Sequence, residues 1–190
     1  MSLEERELDH RAIRALAHPL RLTLLELAGL EGSLTATRAA ALTGESSASC
    51  SFHLRQLAKY GFLEQAEGGV GRERPWRLKT LSHRWSDEDP QADVLDALLA
   101  QRIGQQLMDW LQRRRREPAE WRKAAPGTYS LLYLTPEELT ALGKELFALA
   151  AKHLDRFADP AKRPEGARPV RLVATAFPLP RQDDVDKTSK

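Results

Sequence analysis

Apolar residues recur at helical spacing through the first sixty positions, and each recurrence is bounded by a stop signal. Residues 9–17 (DHRAIRALA) place Ile13, Leu16 and Ala17 on one face, with Asp9 able to cap the start. His18-Pro19 breaks that helix, because the residue before proline is pushed out of the α region. Pro19 suits the first turn of a second helix, PLRLTLLELAGL, made strongly apolar by Leu22, Leu25 and Leu27 and ended by Gly29 and Gly32. Ser33 or Thr35 can cap a short third helix, TATRAAAL, with Ala39 and Leu42 facing inward. Gly44 permits a tight turn, and Ser46 or Ser47 caps a fourth helix that runs to about Tyr60. Two short helices meeting across T-G-E-S predict a helix-turn-helix.

That fourth helix has two unlike edges. Cys50, Leu54 and Leu57 form an apolar one, while Ala48, Ser49, Phe52, Arg55, Gln56 and Lys59 lie opposite. A helix that only packs has no need of small hydroxyls, an aromatic ring and an arginine together on its outer side. Next come two strand-like runs, FLEQA and PWRLK, joined by EGGVGRER, whose three glycines allow a hairpin tip that carries Arg72 and Arg74. A helix-turn-helix followed by such a hairpin predicts a winged helix over residues 1–80, with the wing at 67–75.

Residues 81–90 read as a linker. A long helix is expected over 91–117, striped by Val94, Leu95, Leu98, Leu99, Ile103, Leu107, Trp110 and Leu111 and ending in four arginines before Pro118. Residues 128–134 (TYSLLYL) read as a strand. Thr135-Pro136-Glu137-Glu138 is a capping box that starts a helix reaching about Phe157. VRLVATAF (170–177) reads as a second strand able to pair with 128–134, and 181–190 as a polar, disordered tail. The predicted class is mainly α with small β: a winged helix, a long dimerisation helix, and a small α+β portion within 91–180. Trp110, Trp121, Tyr129, Tyr133, Phe147 and Phe157 there make a core, or line a small-molecule pocket.

Charge sharpens the picture at one place. The chain has 190 residues, 42% of them apolar, and a net charge of only +2. Residues 33–80 hold seven Lys and Arg against four Asp and Glu, which makes this segment a candidate polyanion-binding surface. The single cysteine, Cys50, precludes an internal disulfide and fits a reducing cytoplasm. No apolar run spans a bilayer, and the acidic N-terminus is not a secretory signal. The five histidines are scattered with no i, i+4 pair, so no zinc site is expected. Ser51 and His53 point in different directions on their helix and cannot act as nucleophile and base. GGVG lies in a hairpin and not between strand and helix, so no nucleotide loop is present. The expectation is a protein that is not an enzyme, with no cofactor and no metal.

Residues 9 to 80 resemble the ArsR-like winged-helix transcriptional regulators of bacteria, through RALAHPLRLTLLELA, SASCSFHLRQLAKYGFLEQ and the wing GRERPWRL taken in order. The resemblance implies a cytoplasmic regulator of transcription, a repressor, that binds double-stranded DNA as a homodimer. It makes 47–60 the recognition helix. Ser49, Phe52, Arg55 and Gln56 then face the major groove, and Ser47 and Ser49 sit where a helix N-terminus can hold phosphate. His53 and Lys59 flank that face, and Arg72 and Arg74 reach backbone or minor groove. Metal-sensing relatives carry paired cysteines on the recognition helix, or His and acidic ligands on a terminal helix; here there is Cys50 alone and no histidine in the long helix. The alternatives are a winged helix that binds protein without DNA, and a regulator whose C-terminal pocket takes a small-molecule effector.

Overall fold

The computed structural model describes residues 2–68, 73–125, 127 and 130–180. Strand β1 (Ser2–Glu7) leads into helices α1 (His10–Leu16), α2 (Pro19–Glu31), α3 (Ala36–Thr43) and α4 (Ser47–Lys59). Strands β2 (Leu63–Gln65), β3 (Trp76–Leu78) and β4 (Thr80–Arg84) follow. Helix α5 (Ala92–Arg113) runs into a 3-10 turn at Arg114–Arg116, and α6 (Ala119–Ala124), α7 (Pro136–Ala151), α8 (Asp155–Ala158) and a second 3-10 turn at Pro160–Lys162 complete the order. The class is mainly helical with small sheets, as expected.

Side-chain caps set the helix starts. Asp9 Oδ1 accepts from Ala12 N at 2.8 Å, Thr35 Oγ1 from Arg38 N at 3.1 Å, and Ser46 Oγ from Ser49 N at 3.1 Å. His18, expected only as a breaker, also caps α2: its Nδ1 accepts from Leu20 N at 3.2 Å. Thr135 and Glu138 form the reciprocal capping box at the start of α7.

One apolar core joins these elements. Ile13, Leu16, Leu22, Leu24, Leu34, Ala39, Cys50, Leu54, Leu57, Phe62, Leu63 and Leu78 are all buried in it. Strands β2 and β3 pair antiparallel, Leu63 opposite Leu78 and Gln65 opposite Trp76, and Leu34 adds a bridge to Trp76 from outside the hairpin. Each strand of this wing is therefore fixed to the helical layer by its apolar alternate residues.

Several expectations are corrected. Leu42 is not inward; it is 41% exposed, since α3 is short and Ala39 alone fills its buried face. Gly29 does not end α2, which runs on to Glu31 before Gly32 turns at φ 76°. Its role is close approach: a Cβ at Gly29 would lie 2.5 Å from Phe157 Cζ. Thr80–Arg84, which reaches into the stretch 81–90 read as linker, is β4, and it pairs parallel with β1, Glu7 opposite Arg84.

The C-terminal part departs most. Residues 130–134 and 170–177 form no strand, because neither finds a ladder partner among the described residues. Tyr133 is 98% exposed and Phe147 and Phe157 are open to solvent, so these aromatics build no shared core; Tyr129 lies outside the described residues. The tail at 181–190 also lies outside them. Beside Leu98 and Leu99 against the core and the Phe157 ring at Gly29, what docks this part is polar. Glu26 of α2 accepts from Arg102 at 2.6 Å, Gln106 at 3.1 Å and Arg171 at 2.6 Å. Burial pushes the Glu26 carboxyl up, but the hydrogen bonds and charges of Arg102 and Arg171 outweigh it and hold it below the usual range.

Candidate nucleic-acid interface

Helix α3, a turn through Gly44 in the left-handed region (φ 75°), and α4 make the helix-turn-helix. The turn is braced from inside. Thr43 Oγ1 donates to Ala39 O at 2.8 Å, accepts from Glu45 N at 3.3 Å, and lies 3.7 Å from the buried Cys50 sulfur. Cys50, Leu54 and Leu57 anchor α4 to the core at 0% exposure each. Every third or fourth residue being tied inward fixes the rotation of the helix, and so dictates what faces out.

The outward edge is uncovered. Ser47, Ala48, Phe52, Arg55 and Lys59 are exposed, and Ser49 and Gln56 half-buried; Phe52 keeps 50% of its surface in solvent. Arg55 Nε donates back to Ser51 O at 3.2 Å, which leaves the terminal nitrogens of its fork outward. Lys59 lies over the Tyr60 ring at 5.5 Å.

His53 packs on His18 at the entry to α2, ring centroids 4.6 Å apart, with Phe52 edge-on at 5.2 Å. Its Nδ1 is buried with no hydrogen-bond partner among the described residues. Burial, then the nearby His18 and Arg21, hold its pKa below the ordinary value. His18 is lowered likewise, by burial first and then Arg21. This cluster packs between the start of α2 and the outer edge of α4.

On the wing, Arg74 is exposed, while Arg72 lies outside the described residues. The hairpin beneath is pinned by Arg77 and Glu64 at 2.9 Å. The structure adds two cations the sequence pattern did not mark. Arg6 of β1 and Lys79 line a cavity of about 330 Å³ together with Lys59, Tyr60 and Gly61 at the end of α4. Only the parallel β1–β4 pairing brings Arg6 there, and no local pattern signals such a pairing. Among the described residues no group of three or more His, Cys, Asp or Glu is arranged to hold a metal ion.

A hairpin following a helix-turn-helix with an open second helix defines a winged helix-turn-helix. No family model matches the chain, and no curated protein does. Among solved structures it is similar to a homodimeric winged helix-turn-helix DNA-binding domain (fragment 1–100) of a possible ArsR-family transcriptional regulator from Mycobacterium bovis. The identity is 23%, over 53% of this chain and 77% of that one, with a TM-score of 0.33. A superposition that loose adds nothing to the geometry above. No described helix is long and apolar enough to cross a membrane.

Proposed function

We propose that this chain is an ArsR-like, sequence-specific DNA-binding transcriptional regulator, a repressor that acts as a homodimer in the cytoplasm. The observation that carries the reading is the open edge of α4, with Phe52, Arg55 and Lys59 exposed while Cys50, Leu54 and Leu57 lock the opposite edge. In this reading α4 enters the major groove. Arg55 and Gln56 carry the donor and acceptor groups that match guanine and adenine edges, and Phe52 offers an apolar contact for a thymine methyl. Ser47 and Ser49 meet phosphate at the helix N-terminus, with Lys59 and His53 flanking. Arg72 and Arg74 of the wing contact the DNA backbone or minor groove.

The dimer reading is supported by apolar surface on the long helix, where Val94, Leu107, Met108 and Leu111 are exposed. A two-fold axis beside α5 places two recognition helices on half-sites about one DNA turn apart. Metal sensing through paired cysteines is not part of the proposal, because Cys50 is alone and sealed in the core.

A gel shift with a fragment from the gene's own upstream region tests the reading. Arg55→Ala should cost about 1–3 kcal/mol and relax choice at one base pair, while Arg74→Ala should weaken all sequences alike and lower the salt slope by about one. Absence of any shift at low salt, together with capture of a protein partner through α4, sinks it in favour of a protein-binding winged helix.

A further inference from the structure

The cavity at the end of α4 gathers cations without a paired carboxylate. Several arginines elsewhere do meet one: Arg38 with Glu31, Arg77 with Glu64, Arg102 and Arg171 with Glu26, Arg113 and Arg168 with Glu117. Arg6, Lys59 and Lys79, which line this cavity together, meet none among the described residues. One carboxylate, Asp9, also lines it, but its Oδ1 is already engaged by Ala12 N as the cap of α1.

Arg6 is held in place. Its guanidinium lies over the Phe62 ring at 5.3 Å. Gly61, at φ 76°, makes room for it: a Cβ at Gly61 would stand 3.0 Å from Arg6 Nη1. That Nη1 is buried and has no hydrogen-bond partner among the described residues. A guanidinium nitrogen withdrawn from water without an acceptor is costly, and a bound anion offsets that cost directly. Planar forks and ammonium groups converging on a small space are what oxyanion recognition requires.

We propose that this cavity is an oxyanion site for a phosphate group, with Arg6 as its buried fork and Lys59 and Lys79 as its outer cations. The volume, about 330 Å³, accommodates a phosphate or a small phosphate ester. The phosphate comes either from a DNA backbone or from a free phosphate ester. Because Lys59 and Tyr60 close the recognition helix, an occupant here would bear directly on how α4 is presented.

Isothermal titration of the full chain with inorganic phosphate, ionic strength held constant with sodium chloride, tests the site. Saturable binding is expected, and it should be lost in Lys79→Gln and Arg6→Gln but kept in Arg115→Gln, a change in the exposed run after α5. Arg6→Gln removes a side chain packed on Phe62; if it fails to fold, the exposed Lys79→Gln decides. No saturable phosphate binding, or binding unchanged by Lys79→Gln, overturns the proposal. The source is read on DNA. If a backbone phosphate occupies the cavity, Lys79→Gln lowers the salt slope of DNA binding by about one and phosphate competes with DNA. If the occupant is a free ester, the slope is unchanged and phosphate still binds the DNA complex. A chain that shifts no DNA yet binds phosphate through Lys79 loses the regulator reading and keeps this site.

Discussion

Up to Leu95 the chain buries most of its large apolar side chains; after Leu95 no described residue is fully buried. The two regions do not differ in the supply of apolar residues. Leu131, Leu132, Val170, Leu172 and Phe177 are as apolar as anything in the core, and all are exposed. They differ in whether a facing element exists. The first region closes helices over a hairpin, so each apolar face meets another. The second is held by Leu98 and Leu99 at the edge of that core, by charged side chains on Glu26 and by one ring on Gly29. Apolar patterning sets what a segment could bury; topology decides whether it does so within one chain.

The largest expected effect breaks the first region. Leu54→Ala removes a fully buried side chain that ties α4 to the core, and should cost about 3–4 kcal/mol in urea unfolding. DNA affinity should fall with the folded fraction, since the rotation of α4 depends on that anchor. An equal cost from Leu132→Ala, in the exposed segment, would show that the contrast between the regions is wrong.

How much of this was legible follows from the same contrast. The helix-turn-helix was readable because its signals are local: caps at Asp9, Thr35 and Ser46, a turn at Gly44, and an apolar edge at Cys50, Leu54 and Leu57. Its outward face follows from the inward one by geometry. The β1–β4 sheet was not readable, because β1 is mostly polar and its partner lies more than seventy residues along the chain. The cavity of Arg6 and Lys79 was hidden for that same reason. The strands expected at 128–134 and 170–177 failed for the opposite one: their pattern suits an extended chain, but a strand also needs a neighbour to take its backbone bonds. Gly29 looked like a stop because glycine at a helix end usually is one; its contact with Phe157 is visible only in three dimensions.

The next effect lies in the first region, on β4. His83 contributes stability that depends on pH. Burial, and then the charge of Arg6, lower its pKa from 6.5 to about 4, so between those values the unfolded chain takes up a proton that the folded chain does not. Stability is full above pH 6.5 and falls as pH drops toward 4, by about 2 kcal/mol once solvent screening is allowed for. Urea unfolding at a series of pH values checks this, and His83→Leu should flatten that part of the profile.

Gly29→Ala should push the Phe157 ring off α2 and cost about 1–2 kcal/mol of local docking. Limited proteolysis in the 159–169 loop should accelerate, while the unfolding of the first region changes little. Adding Phe157→Ala should remove the closest conflict and leave the 3.0 Å approach to the flexible end of Leu78, so most of the loss is recovered and part of the helix-propensity gain of alanine over glycine, about 1 kcal/mol, appears in α2. The smallest effect is expected from Glu26→Gln. It weakens the grip on Arg102 and Arg171 by about 1 kcal/mol, and a double-mutant cycle with Arg171→Gln should show the coupling shrinking as salt is added.

The parallel pairing of β1 with β4 has a consequence for the order of assembly. During synthesis β1 leaves the ribosome well before its ladder mate at Thr80–Arg84 exists. Helices α1 to α4 can nucleate among themselves while that first segment waits, so the sheet locks after them. Arg6 rides on it, and the pocket it lines therefore takes shape only after α4 is already in place.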